Sequence, residues 1–267
     1  MRLNEGQNAF AEEVRNKIGD KSLKNIKIFA YKITDSTNTR AKEYAVEDGA
    51  VFPAVFIADG QSAGRGRRGR SFDSAEGAGL YISFLFRPEE KGLDAVKLTV
   101  RAAVETCAAL EEVTGLFAQI KWVNDIFVGD RKLAGILAEG QVDSESGVFE
   151  YAVCGIGINL NKRTFPEELS KTVTTVEDET GARPDRAALA ARLTERFFAK
   201  DGISVMEEYR RRSCVIGKEL SVRRISGEVF SARAVSITDG GALTVIREDG
   251  QKEDLISAEV SVNVKTK

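Results

Sequence analysis

Histidine is absent from this sequence of 267 residues. Its absence excludes Ser-His-Asp and Cys-His catalysis, a histidine general base and histidine-ligated metals. Cysteine is scarce, with three residues at positions 107, 154 and 214. Because their number is odd and their spacing fits neither a zinc site nor a disulfide framework, we expect buried thiols in a reducing compartment. Any chemistry must then use lysine, arginine, aspartate, glutamate, the backbone or a bound metal.

Long apolar runs and a strong net charge are also lacking. No run approaches the length of a membrane span, and the polar N-terminus does not resemble a signal peptide. The formal net charge is −2 and the pI is about 5.6, which disfavours a general nucleic-acid binder. We therefore expect a cytoplasmic protein with no membrane partner. A hydrophobic content of 42% is enough for one sizeable core and a small second domain.

Glycine alternates with arginine in the stretch 60–70, directly after an apolar run at 51–58. The glycines allow positive φ and close approach to a ligand, and the four arginines offer planar donor forks for phosphate or carboxylate. Because neighbouring cations repel, we expect this loop to be mobile when empty and ordered around a bound anion. The alternatives are a solvated basic turn and an Arg-Gly nucleic-acid tail. A position between two strand-like runs argues against a tail.

Periodicity predicts an α+β domain followed by a β domain. Strands are predicted at 26–33, 51–58, 79–87 and 149–158, three short strands at 117–140, and helices at 9–18, 35–46, 93–114, 185–199 and 204–212. The stretch 161–174 is polar and irregular, as a flexible loop would be. After Gly217, short alternating runs at 220–223, 229–237, 243–247 and 254–264 indicate a small barrel. We place the domains at 1–214 and 215–267.

Further polar clusters stand where predicted strands end. In Asp-Ser-Thr-Asn at 35–38, Asp35 or Ser36 could cap a helix, or the polar groups could bind a ligand. In Lys-Trp-Val-Asn-Asp at 121–125, Asp125 could orient an amine, hold magnesium or simply form a turn. No cluster alone decides between a structural and a functional interpretation.

Lys132 lies beside small residues in an apolar strand, within Arg-Lys-Leu-Ala-Gly-Ile-Leu at 131–137. A lysine there loses hydration unless an anion pairs with it, although a snorkelling surface lysine has the same pattern. Gly155 and Gly157 would admit a flat ligand close to the backbone, or would form a β-bulge.

In chain order, these motifs resemble those of biotin–protein ligases, also called biotin–acetyl-CoA-carboxylase ligases. The motifs are those at 35–38, 121–125 and 131–137, Gly-Arg-Gly-Arg-Arg-Gly-Arg at 64–70 and Gly-Ile-Gly-Ile-Asn at 155–159. The resemblance extends over the chain from about residue 26. It implies a mixed sheet flanked by helices, of the class II synthetase-like type, with a small SH3-like β-barrel at the C-terminus.

The resemblance also implies an activity. Biotin and ATP would form biotinyl-5′-AMP, and biotin would pass to one lysine of a biotin carboxyl carrier protein. Magnesium would be held mainly by the ATP phosphates, with its protein ligands unknown. Only about 25 residues precede the first predicted core strand, too few for a winged helix-turn-helix, so we expect a monofunctional ligase with no DNA partner. Many relatives pair sheet edges, so a homodimer is expected.

Site residues follow from the same resemblance. The residues implied to contact biotin are Ser36, Thr37, Asn38, Gln61, Arg65, Gly66, Arg67, Lys132, Gly135 and Gly155. Those implied on the nucleotide side are Arg65, Arg67, Arg70, Phe72, Lys132 and Asn159. Lys132 and Arg67 would act in catalysis, and Asp125 would orient the acceptor amine.

Three positions depart from the family pattern. Val123 stands where Pro is usual, Phe72 where some members have Trp, and Asn263 where some have a C-terminal Arg. Lipoate ligases and octanoyl transferases share the fold but lack the Gly-Arg pattern, and octanoyl transferases also need a catalytic cysteine. A non-catalytic biotin sensor is opposed by intact Lys132 and Arg67.

Overall fold

Two β-sheets organise the part of the chain that the computed structural model describes, residues 5–88, 94–145, 148–199 and 204–262. The larger sheet consists of β1 (Lys27–Thr34), β2 (Ala54–Gln61), β3 (Gly79–Phe86), β4 (Gln119–Lys121), β5 (Asp125–Val128), β6 (Arg131–Val142) and β7 (Phe149–Asn159). The smaller sheet consists of β8 (Glu219–Arg223), β9 (Val229–Ile237), β10 (Leu243–Arg247), β11 (Lys252–Leu255) and β12 (Glu259–Val262). The helices are α1 (Glu5–Lys17), α2 (Thr37–Ala45), α3 (Ala95–Thr114), α4 (Glu167–Ser170), α5 (Val176–Thr180), α6 (Arg186–Phe198) and α7 (Val205–Arg212).

The larger sheet is mixed. Its strand order is β1-β2-β3-β7-β6-β5-β4, in which β1 and β2 run parallel and the other neighbours antiparallel. A parallel pair needs a crossover, and α2 provides it. The start of α2 therefore follows the end of β1, beside the end of β2, where Thr34 pairs with Gln61. This topology brings the polar cluster at 35–38 next to Gln61.

Both faces of this sheet are buried, which explains the continuous apolar run in β2. Val55 and Ile57 belong to the larger core, together with residues of α1, α3 and α6. Phe56 points to the opposite face, where a smaller cluster includes Tyr31 and Ala41. The alternation follows the two-residue period of a strand.

The longest helix, α3, has clear signals at both ends. Asp94 accepts hydrogen bonds from the backbone N–H groups of Val96 and Lys97, each at 2.8 Å. Gly115 ends the helix in the left-handed conformation, at φ 71°. The apolar face of the helix is buried from Val100 to Leu110. These signals confirm the predicted helix.

The smaller sheet is antiparallel, in the order β11-β10-β9-β8-β12. The mixed sheet with flanking helices and this small C-terminal sheet confirm the expected fold class. One predicted run, 254–264, was wrong as a single strand. β11 pairs with β10 and β12 with β8, so the chain breaks at 256–258 to pass from one edge to the other. Asn263 lies outside the described residues, and the domain division at 214/215 stays a prediction.

Other departures from the predicted elements are local. β2 begins only at Ala54, after a cis bond between Phe52 and Pro53. The stretch 161–174 contains α4, and α5 follows it without having been predicted. The three cysteines are free thiols, but Cys214 is only half-buried. Burial raises the pKa of Cys107 and Cys154 to about 12, as expected of inert core thiols. Within the described ranges, no helix has the length and apolar character that a bilayer crossing needs.

Buried hydrogen bonds attach α7 and the smaller sheet to the β4–β5 turn. Trp122 Nε1 donates to the carbonyl oxygen of Gly241 at 2.9 Å, and Tyr209 Oη donates to that of Val123 at 2.9 Å. The bond between Trp122 and Val123 is cis, at the position where the family usually has proline. These contacts hold the Lys-Trp-Val-Asn-Asp segment between the two sheets.

We predict that Tyr209→Phe lowers the free energy of unfolding by about 1–3 kcal/mol, because the buried carbonyl of Val123 loses its donor. Guanidinium denaturation measures the change. Tyr151→Phe, at a partly exposed strand position, is the control and should stay within about 0.5 kcal/mol. Equal stability of the two variants would contradict a stabilising role for this hydrogen bond.

Candidate active site

One cavity of about 300 Å³ collects nearly all the residues singled out in the sequence. Its walls come from the start of α2, the Gly/Arg loop, the β4–β5 turn, the middle of β6 and β7, and residues 258–261 of the smaller sheet. The predicted site residues that line it are Ser36, Thr37, Asn38, Gln61, Arg65, Gly66, Arg67, Arg70, Phe72, Asp125, Lys132, Gly135 and Gly155. The site is therefore built from segments far apart in the sequence.

One end of the cavity is polar and carries no charged side chain among its central groups. Gln61 Oε1 accepts from the backbone N–H of Thr37 at 2.8 Å. Ser83 Oγ, which is fully buried on β3, lies 2.6 Å from Asn38 Oδ1 and 2.7 Å from Thr37 Oγ1. Ser36 occupies the N-cap position of α2, as one of the two predicted candidates, but its side chain makes no capping hydrogen bond. Asp35 instead binds Arg40 and the Ser36 backbone.

Glycines form the floor of the cavity because side chains lie directly on their backbone. A Cβ atom at Gly155 would stand 2.1 Å from Asn38 Oδ1. At Gly157 it would stand 2.6 Å from the Phe72 ring, and at Gly135 it would stand 3.2 Å from the same ring. Gly135 and Gly157 pair across β6 and β7. The glycines allow neighbouring side chains to approach the strand backbone closely, and they would allow a ligand to do the same.

A lysine–aspartate pair marks the other end of the cavity. Lys132 Nζ lies 2.7 Å from Asp125 Oδ1, and it stands 5.9 Å from the centre of the Phe72 ring. The pairing of β5 and β6 shifts register between Ile126 and Phe127, where a bulge turns the lysine away from regular alternation. Both side chains of the pair are about 70% buried, with exposures of 30% and 27%. Lys132 is therefore a half-buried cation, not a snorkelling surface lysine.

The loop arginines have carboxylate partners that the sequence did not reveal. Arg65 lies 2.6 Å from Glu139 of β6, and Arg70 lies 2.6 Å from Glu259 of β12. Arg68 also approaches Glu259, at 3.7 Å. Mutual repulsion between the arginines is thus offset within the protein, although the sequence suggested that only a bound anion could do so. No spacing rule links residues so far apart in the chain.

Arg67 points inward instead of toward a carboxylate. Its guanidinium donates to Asn124 Oδ1 at 3.2 Å, and burial together with the nearby charge of Arg68 lowers its pKa. Asn124 is itself fixed on β6, since its side chain donates to the carbonyl of Ile136 at 3.1 Å. The loop closes on itself through a bond from the N–H of Gly66 to the carbonyl of Arg70 at 2.7 Å. A cation is thereby held at the cavity with its charge only partly compensated.

One predicted residue lies apart from the cavity. Asn159 is buried on β7, two residues beyond Gly157, and is not among the described residues that line the cavity. Within the same described ranges, no group of three or more cysteine, aspartate or glutamate side chains could hold a metal ion. Asp125 and Glu259, the acidic side chains of the cavity, are already paired with cations. The donor set does not fit a protein-ligated metal.

Comparison with known proteins identifies the source of these motifs. Residues 30–159 match the model of the Biotin/lipoate A/B protein ligase family, and residues 215–262 match that of the Biotin protein ligase C terminal domain. The chain is 31% identical to the bifunctional ligase/repressor BirA of Bacillus subtilis over 242 residues, which span 86% of this chain and 72% of that protein. This chain belongs to the biotin protein ligase family.

Two further relatives agree with this membership. A biotin–[acetyl-CoA-carboxylase] ligase of Mycobacterium tuberculosis is 31% identical over 79% of this chain and 79% of its own length. The structure of the biotin protein ligase of Aquifex aeolicus in complex with biotin and ATP superposes with a TM-score of 0.72 at 28% identity. That match covers 89% of this chain and 99% of the Aquifex protein. The fold and the sequence thus lead to the same family.

Gly155→Ala should weaken biotin binding by about 10- to 100-fold, because a methyl group there overlaps Asn38 Oδ1 and one of the two must move. Calorimetric titration with biotin measures the loss. Gly240→Ala is the matched control, since a Cβ atom at that exposed position meets only Thr238 Oγ1 at 3.8 Å. If the Gly155 variant bound biotin with unchanged affinity, the position of Asn38 directly above the strand would not be required for binding.

Proposed function

We propose that this biotin protein ligase joins biotin to the AMP moiety of ATP and then transfers biotin to one lysine of a biotin carboxyl carrier protein. The observation that carries the proposal is the division of the cavity. Buried neutral donors and acceptors gather around Thr37 and Asn38, glycines form the floor, and Lys132 and Arg67 bring cations beside Asp125 and Asn124. Biotin has the same division, with a neutral ureido ring, an apolar body and a carboxylate.

In this arrangement, the ureido ring of biotin binds at Ser36, Thr37, Asn38 and Gln61. The ring system lies over Gly135 and Gly155, and the carboxylate reaches toward Lys132. Arg65, Gly66 and Arg67 lie over the bound molecule, and Arg70 and Phe72 face the nucleotide. Asn159 stays a prediction for the nucleotide side, since it does not line the cavity.

The first step brings two anions together. A carboxylate oxygen of biotin attacks the α-phosphorus of ATP, a new oxygen–phosphorus bond forms, and pyrophosphate leaves. Lys132, Arg65 and Arg67 reduce the repulsion and stabilise the charge that develops on the phosphate. Lys132 can take up this anion because a substrate carboxylate or phosphate offers the same charge as its present partner, Asp125.

Magnesium is part of the proposal only as a companion of ATP. The acidic side chains of the cavity are paired with Lys132 and the loop arginines. We therefore assign no protein ligand to the ion and place it on the phosphates that ATP brings.

In the second step, the acceptor lysine attacks the acyl carbon of biotinyl-5′-AMP. An amide bond forms, AMP leaves with the electrons of the broken carbon–oxygen bond, and the nitrogen gives up one proton, which the departing phosphate can accept. The amine must be neutral, whereas an ordinary lysine has a pKa of about 10.4. Asp125 lies in the cavity next to Lys132 and is placed to accept an N–H of the incoming amine. The closed Gly/Arg loop keeps water away from the mixed anhydride until the carrier arrives.

A homodimer and a cytoplasmic setting complete the proposal. β1 is a terminal strand of the larger sheet, so its outer edge is available for pairing with a second copy. Sedimentation equilibrium distinguishes the dimer from the monomer. Free cysteines at all three positions fit a reducing compartment.

Lys132→Ala should reduce adenylate formation by orders of magnitude, because the cation that meets both substrate anions is lost. Transfer of labelled biotin to a purified biotin carrier domain, with ATP and magnesium, measures both steps together. Lys21→Ala, at an exposed position that does not line the cavity, is the control. Near-wild-type activity of the Lys132 variant would refute its role. Biotin binding without any transfer by the wild type would favour the sensor alternative.

Trypsin should cut the loop between Arg65 and Arg70 quickly in the free protein and slowly with biotin and ATP bound. Substrate phosphates attract the same guanidinium groups that otherwise pair with Glu139 and Glu259, and closure over a ligand protects the backbone. Mass spectrometry of timed digests identifies the cut sites. Equal cleavage rates in both states would argue against ordering by the ligand.

A further inference from the structure

Glu139 lies just behind the proposed biotin pocket and contacts three groups at once. Its Oε2 atom accepts from Asn38 Nδ2 at 2.8 Å and lies 2.6 Å from a guanidinium nitrogen of Arg65. Its Oε1 atom accepts from Lys42 Nζ at 3.1 Å. The side chain is 23% exposed. One carboxylate thus joins helix α2, the pocket and the Gly/Arg loop.

The charge of Glu139 is maintained by these neighbours. Burial alone would raise the pKa of this carboxyl, but the hydrogen bonds from Asn38 and Lys42 and the charges of Lys42 and Arg65 outweigh it. The pKa therefore lies below its usual range. An ionised carboxylate can only accept hydrogen bonds. The Asn38 atom that faces it must therefore be the amide nitrogen.

The other contacts of Asn38 agree with this orientation. Nδ2 also donates to the carbonyl oxygen of Leu137 at 3.2 Å. Ser83 Oγ lies 2.6 Å from Oδ1, and a hydroxyl can donate to that oxygen. If the amide were turned by 180°, its oxygen would face two acceptors, Glu139 and Leu137. Only one orientation therefore satisfies every partner.

In this orientation, the amide oxygen lies over Gly155 on the cavity floor. Of the Asn38 atoms, Oδ1 is the nearest to the place that a Cβ atom of Gly155 would take. An amide oxygen has two acceptor sites, and Ser83 uses one. The second can accept an N–H from a cyclic urea.

We infer that Glu139 is a positioning residue that fixes the amide of Asn38 with its oxygen toward the biotin ureido N–H and, through Arg65, links this pocket to the Gly/Arg loop. The inference rests on the proposed function. When Arg65 moves onto a substrate phosphate, Glu139 keeps Lys42 and Asn38 as partners, so the pocket stays oriented during loop movement.

The test exchanges the hydrogen-bond donor at position 38 with the acceptor at position 139. In E139Q, the new amide can donate or accept, so Asn38 is free to turn. In N38D, two carboxylates face each other. The double variant N38D/E139Q places a donor at 139 and an acceptor-only group at 38, so an oxygen faces the cavity again. E43Q, which removes a carboxylate from the exposed side of α2, is the matched control.

Biotin affinity is measured by calorimetry on the full chain, and the KM values for biotin and ATP are measured in adenylate formation. We expect E139Q and N38D each to weaken biotin binding by about 10- to 100-fold. The KM for biotin should rise far more than that for ATP. The double variant should bind more tightly than the product of the two single losses, since the two sites are coupled. E43Q should match the wild type.

Wild-type affinity in E139Q would overturn the inference while the wild-type transfer assay still supports the proposed function. The inference would also be overturned if the affinity loss of the double variant equalled the product of the two single losses. A carboxylate that is needed only for folding would give no recovery of biotin affinity in the double variant. Thermal unfolding of each variant without biotin identifies such a folding defect. A wild type that neither binds biotin nor transfers it would reject the proposed function itself.

Discussion

Several positively charged side chains lie close together in this cavity. The rest of the site depends on how their charge is compensated. Arg65 and Lys132 each have one carboxylate partner while no substrate is near, Glu139 for the arginine and Asp125 for the lysine. All four side chains are partly exposed, with exposures from 23% to 38%. The carboxylates compensate these cations in the free protein, and an incoming carboxylate or phosphate offers the same cations an equivalent partner.

The scaffold holds these groups by topology more than by local sequence. The crossover through α2 places Thr37 and Asn38 beside Gln61, and the β6–β7 pair supplies the glycine floor beneath them. Asn38 lies on Gly155 and Phe72 lies on Gly157, two residues further along the same strand. Residues two apart on a strand are roughly 6.8 Å apart. The floor thereby sets the spacing between the neutral and the aromatic parts of the cavity.

The sequence was sufficient for most elements and for the residues that carry motifs. The apolar run of β2 and the Gly/Arg loop are local signals, which a single sequence shows directly. Ser83 and Glu139 were missed because their partners Asn38 and Arg65 lie 45 and 74 residues away. Glu259 was missed because it contacts Arg68 and Arg70 from the other sheet. A serine inside an apolar strand and a glutamate near a strand end have no periodicity that distinguishes them from ordinary positions.

The error at 254–264 has a similar origin. Alternation between apolar and polar residues identifies a strand, but it contains no information about which edge of a sheet the strand joins. Lys252–Leu255 and Glu259–Val262 have compatible patterns and pair at opposite edges. The short helix Val176–Thr180 has a side-chain cap from Thr175 but only five residues, too few for a periodic signal.

The smaller sheet has a consequence for how the enzyme opens. Residues 258–261 form one wall of the cavity, and Glu259 contacts two arginines of the loop. Trp122, at the base of the same cavity, is hydrogen-bonded to the β9–β10 turn of that sheet. A change in the angle between the two sheets would move this wall relative to Arg65 and Arg67, which Glu139 and Asn124 hold. The width of the cavity entrance then depends on the angle between the two sheets. A carrier protein that binds to the smaller sheet would change this angle without contacting the reacting atoms.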